Sequence, residues 1–128
     1  MAEPRKNKVV IPLHEDDVAP RFDMATDVWV GVLGEGGAWI EERTLVLPQA
    51  SAENLCNLII NEAAGTVICG GIEDEFFQYL RWKRVDVLDS VLGPRDKAAQ
   101  ALARGELKPG DILFGPESGR NRAGIGPE

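Results

Sequence analysis

The chain has 128 residues, 44% of them hydrophobic, which suits one domain with a single core enclosed by a sheet and its helices. Twenty-one acidic residues against fourteen basic ones leave a net charge of -7, which repels phosphate backbones and argues against nucleic acid as a partner. Cys56 and Cys69 form neither a CxxC pair nor a disulfide framework, and no apolar run follows the basic N-terminus or reaches membrane-spanning length, so a cytoplasmic protein without a membrane partner is expected.

Val9-Val10-Ile11-Pro12-Leu13 reads as a first strand that Pro12 brings to its end, with residues 1–7 as an N-terminal extension. His14 to Ala25 is too polar and broken for either regular period and reads as a loop. Val28 to Leu33 forms a second strand, Gly34-Glu35-Gly36-Gly37 a hairpin turn, and Trp39 to Leu47 the antiparallel return. Trp29 and Trp39 are expected in the hairpin and core. From Ser51, a plausible N-cap, residues Ala52, Leu55, Cys56, Ile59, Ile60 and Ala63 repeat with helical period, and Gly65 is expected to close that helix. Thr66 to Cys69 then reads as a buried strand parallel to the first, and Gly70-Gly71 ends it.

A second helix is predicted from about Asp74 to Lys83 with Phe76 and Leu80 inward, followed by a strand at Val85 to Leu88. Pro94 opens a third helix at its first position, with Ala98, Ala101 and Leu102 inward. Residues 105–128 hold six glycines and three prolines and read as a tail, in which Leu107 and Ile112-Leu113-Phe114 could dock. The order β-β-β-α-β-α-β-α describes an α/β fold, a five-stranded mixed sheet of ribonuclease H-like topology with flanking helices.

Lys8-Val9-Val10-Ile11-Pro12, then Arg21-Phe22-Asp23-Met24-Ala25, then Ile68-Cys69-Gly70-Gly71-Ile72 and Val85-Asp86-Val87 stand in an order that resembles the dinitrogenase iron-molybdenum cofactor biosynthesis family, the NifX- and NafY-like proteins and the terminal domain of NifB. The resemblance covers residues 8–104. It implies a ribonuclease H-like motif and a small cytoplasmic carrier for an iron-sulphur, iron-molybdenum or molybdenum-copper cluster, handed to cofactor-biosynthesis or acceptor proteins in nitrogen fixation. The family commonly carries a cluster-binding histidine where this chain has Arg21, whose guanidinium could hold an anionic cluster by charge. Glu73-Asp74-Glu75 replaces residues more often small or neutral in relatives.

The first and fourth predicted strands are parallel neighbours, and ligands of α/β sheets gather beyond the carboxyl ends of such strands. His14 and Cys69 occupy those ends and form the expected metal-ligand pair, with Arg21, Gly70 and Gly71 completing the candidate cofactor-binding set. Cys56 lies on the apolar stripe of its helix and is expected to be packing. No residue is expected to be catalytic: the acidic balance opposes a nuclease, and a Cys69–His14 hydrolase lacks an orienting partner. The radical chemistry of NifB needs a CxxxCxxC motif that this chain does not have. A cluster-free interaction or regulatory protein that keeps the fold is the alternative.

Overall fold

The computed structural model describes residues 5–114, and the ends of the predicted extension and tail, residues 1–4 and 115–128, lie outside the described residues. Six strands and three helices follow one another: β1 (Arg5–His14), β2 (Asp17–Val18), β3 (Asp27–Leu33), β4 (Trp39–Val46), α1 (Ala52–Asn61), β5 (Ala64–Ile68), α2 (Asp74–Trp82), β6 (Asp86–Leu88) and α3 (Arg95–Ala103). The mixed sheet runs β4-β3-β1-β5-β6, and the two-residue β2 pairs with the end of β1. This is the predicted five-strand path with a ribonuclease H-like motif, and β2 is an addition. β1 meets β3 antiparallel and β5 parallel, with Val9 opposite Thr66 and Val10 opposite Val67.

Alternation along the strands divides the core between two faces. Val10, Val28, Val30, Val67 and Cys69 join Leu55, Ile59 and Leu80 of α1 and α2. Val9, Ile11, Trp29 and Ile68 join Ala98 and Ala99 of α3. Both faces of the central strands are covered, which is why these segments read as unbroken apolar runs.

α1 forms as its pattern dictates. The Ser51 hydroxyl accepts from the Asn54 N–H at 3.1 Å, and the buried stripe is Ala52, Leu55, Cys56 and Ile59. Full burial of Leu55 and Ile59 contributes about 1.5–3 kcal/mol each. Gly65 does not close this helix. The chain leaves it through Ala63 at φ 57, and Gly65 lies within β5. There a Cβ would stand 2.6 Å from the Arg5 carbonyl carbon, so glycine is what lets β5 approach β1.

Other boundaries shift for equally local reasons. β1 continues past Pro12 to His14, because Leu13 pairs with both Asp27 of β3 and Val18 of β2. Pro94 is the N-cap of α3 rather than its first residue, with extended ψ 140, and Ala99 is buried where Ala101 and Leu102 are only half-buried. The Gly34–Gly37 hairpin forms as expected, with Gly36 at φ 80 and Gly37 at φ 85. Trp29 is buried and meets Trp39 edge-on at 5.1 Å, while Trp82 is 75% exposed.

Beyond α3 the chain does not leave the domain at once. Leu107 and Leu113 are buried against the α3 face, and the Leu113 N–H donates to the Leu92 carbonyl at 2.7 Å.

Candidate functional site at the carboxyl end of the sheet

The site begins where β1 ends. Glu15 adopts φ 57, turning the chain sharply so that β2 runs back along β1. Residues 15–22 are then tied down on several sides. The Val18 N–H donates to the Gly93 carbonyl at 2.9 Å, the Ala19 N–H to the Pro12 carbonyl at 2.9 Å, and the Arg95 N–H to the Asp16 carbonyl at 2.9 Å. At the far end the Gly71 N–H donates to the Pro20 carbonyl at 2.7 Å and the Phe22 N–H to the Gly71 carbonyl at 2.8 Å. Phe22, 1% exposed, anchors this strap in the core under α1 and α2.

Gly70 permits the closure. A Cβ at that position would lie 2.4 Å from both the Ala19 and Pro20 carbonyl oxygens, a distance that rigid backbone cannot accommodate. At Gly71 the nearest atom to such a Cβ is the Pro20 oxygen at 3.5 Å, ordinary contact, so its role lies in the two backbone hydrogen bonds.

The consequence for the two expected ligands is unequal. His14 is exposed and lines a cavity of about 420 Å3 together with Glu15, Arg21, Met24 and Asp27. Cys69 does not line that cavity: it is 0% exposed within the α1–α2 core. Burial, with smaller contributions from the Asp89 carboxylate and Cys56, pushes its thiol from the usual 9.0 up to about 12, so it is neutral at pH 7. The structure therefore brings His14 and Arg21 to one rim and places Cys69 inside the α1–α2 core. Cys56 is buried as expected, at the floor of a separate cavity of about 270 Å3 beside Phe76 and Tyr79, with its thiol raised to about 11 mainly by burial.

Arg21 is already engaged. Its Nε donates to Asp23 Oδ1 at 3.1 Å and its Nη2 to Asp23 Oδ2 at 2.8 Å, a two-pronged pair that raises the guanidinium's pKa through the hydrogen bond and the carboxylate charge. The side chain remains 64% exposed. Glu15 and Asp27 add negative charge to the lining, so the rim is acidic apart from the local positive charge of Arg21. Among the described residues no three His, Cys, Asp or Glu side chains gather as a metal-ion site, and no helix is long and apolar enough to cross a membrane.

Sequence reasoning missed Met24, which is 63% exposed at the mouth of the cavity. Its one signal was position: a lone methionine in a polar loop, outside any apolar stripe.

No family model and no curated protein matches the chain. Solved structures do share its fold. The crystal structure of PH0822 superposes with a TM-score of 0.73 at 23% identity, covering 80% of this chain and 93% of that one. A Methanocaldococcus jannaschii protein (mj0327), provisionally assigned as a dinitrogenase, gives a TM-score of 0.65 at 19% identity over 79% of this chain and 91% of its own. A Thermotoga protein (TM1290), provisionally assigned as a NifB protein of the DUF35 family, gives 0.63 at 18% identity over 87% and 98%. The neighbours that the resemblance led one to expect are thus found among the solved structures, and the likeness is one of fold.

Proposed function

We propose that this protein is a non-catalytic cytoplasmic carrier that holds an iron-sulphur, iron-molybdenum or molybdenum-copper cluster, or its precursor, as cargo in nitrogenase-type cofactor biosynthesis. The observation that carries the reading is an open cavity of about 420 Å3 at the carboxyl end of β1, with the chain's one histidine on its wall. The shared fold with proteins provisionally assigned to dinitrogenase and NifB supports it. A neutral, sealed Cys69 thiol supports holding over nucleophilic turnover.

In this reading His14 ligates the cargo through its imidazole, and Arg21, oriented by Asp23, offers its outer N–H groups to sulphide or oxide. Gly70 and Gly71 shape the rim by admitting the strap. Cys69, sealed in the α1–α2 core and absent from the cavity lining, is not among the ligands in this reading. Biosynthesis and acceptor proteins meet the exposed rim, and neither nucleic acid nor membrane is a partner. A second reading, a cluster-free interaction or regulatory protein, is favoured by Arg21 being spent on Asp23 where relatives commonly carry the cluster-binding histidine.

The test is metal and sulphide analysis of the full chain purified anaerobically from iron- and molybdenum-replete cells. The carrier reading expects a coloured cluster at near one per chain, lost in His14→Ala and weakened both by Arg21→Ala and by high salt. Colourless protein that no reconstitution loads selects the cluster-free alternative.

A further inference from the structure

We infer that the rim cavity also binds a single copper(I) ion, through the His14 imidazole and the Met24 thioether. The chain holds two cysteines, two methionines and one histidine. Cys56 and Cys69 are 3% and 0% exposed, whereas Met24 is 63% exposed. Among the described residues Met24 is therefore the one sulphur donor open to solvent, and it lines the same cavity as the one imidazole.

The fold fixes the backbone of Met24 beside the cavity. The residue ends the short 3-10 turn Phe22–Met24, whose first residue is buried, and its N–H donates to the Arg21 carbonyl at 3.2 Å. Leaving a methionine so exposed forgoes apolar burial, and no stripe of neighbouring apolar residues explains it.

Copper(I) is the ion that matches these donors. It is soft, prefers thioether and imidazole, and differs from calcium, magnesium or manganese, which seek oxygen clusters. Glu15 and Asp27 on the same wall favour a cation, and Asp23 offsets the charge of Arg21, the one cation lining the cavity. The ion would occupy the mouth used by the proposed cargo, so the site rests on the carrier reading of this cavity and adds to it a donor, Met24, and a metal.

The test is anaerobic titration of the full chain with copper(I) presented as its bicinchoninate complex, with X-ray absorption at the copper edge as a second readout. One copper per chain with nitrogen and sulphur neighbours is expected. Met24→Leu and His14→Gln should each weaken binding at least tenfold, Met24→Leu should remove the sulphur signal, and Cys69→Ser should change neither. Both altered side chains are exposed, and an unchanged urea midpoint verifies the fold of each variant. Wild-type protein that surrenders all copper to the chelator, undiminished binding in both variants, or loss in Cys69→Ser alone would overturn the site. Copper is supplied without iron, molybdenum or sulphide, so the outcomes separate. Failure here beside a bound cluster in anaerobic protein removes the copper site only, while copper binding in protein that never loads a cluster removes the carrier reading only.

Discussion

β1 and β5 are parallel neighbours, and the residues at their carboxyl ends have opposite fates: His14 stands open on a cavity wall, and Cys69 is sealed inside the core. Strand alternation and the helices account for it: Cys69 shares a face with Val67 in the cluster built with Leu55, Ile59 and Leu80 of α1 and α2, whereas His14 stands on the open cavity beside the strap that leaves β1 at Glu15 and is fastened to Gly71 by two backbone hydrogen bonds. A shared sheet edge is thus no guarantee of shared accessibility, because the helices cover one strand end and not the other. The chemistry follows the geometry: the thiol is pushed to about 12 and is inert at neutral pH.

The contrast is broken most severely at the strap's anchor. Phe22→Ala removes a fully buried ring from the α1–α2 core and should cost about 3–5 kcal/mol in urea unfolding. The same variant should render Cys69 reactive toward an aromatic disulfide reagent under native conditions. A loss below ~1 kcal/mol with an unreactive thiol would mean that Phe22 does not hold the strap.

Alkali acts on the sealed end. The folded thiol pKa of Cys69 is raised above its unfolded value, so the stability associated with the neutral form is complete below pH 9.0 and is lost as pH climbs toward about 12. Thermal midpoints should fall across that window, with a slope of up to ~1.4 kcal/mol per pH unit from this group. Cys69→Ala should flatten the slope, although Cys56, raised to about 11, leaves a residue of it. An unchanged slope in Cys69→Ala would contradict the burial assigned to the sulphur.

Gly70→Ala introduces a Cβ against two carbonyl oxygens at 2.4 Å, and the strap must shift to admit it. Destabilisation of about 1–3 kcal/mol is expected, with partial exposure of Cys69 to the same reagent. The smallest effect belongs to the open end: His14→Ala should change the free energy of urea unfolding by less than ~0.5 kcal/mol, since the side chain is exposed and its backbone pairing to Asp17 survives. A larger loss would show that His14 is structural.

Much of the fold could be read from the chain because it is written in local periods. The stripe Ala52, Leu55, Cys56, Ile59 with Ser51 as cap became α1, and Gly36 and Gly37 took the positive φ that a tight hairpin needs. The expectations that shifted depended on neighbours distant in sequence. Gly65 seemed a helix stop, but its missing Cβ serves the approach of β5 to Arg5. Pro12 seemed a strand end, but the pairing of Leu13 with both Val18 and Asp27 carries β1 past it. In the candidate site, His14 and Arg21, singled out from strand position and motif, share a cavity. The burial of Cys69 could be read from the apolar run Thr66–Cys69, but its exclusion from the His14 cavity and the exposure of Met24 were not legible, because neither follows from a residue's own segment.

The sequence by itself determined the α/β class, the helical stripe, the hairpin and the parallel placement of the Thr66–Cys69 segment beside the first strand, since hydrophobic period and turn chemistry act over a few residues. Only the tertiary structure decided which end of the paired strands meets solvent. That choice is made by the packing of α1 and α2 over the face that carries Cys69 and by the strap held through Gly71 to Pro20 and Phe22 beside His14, contacts between elements distant in the chain.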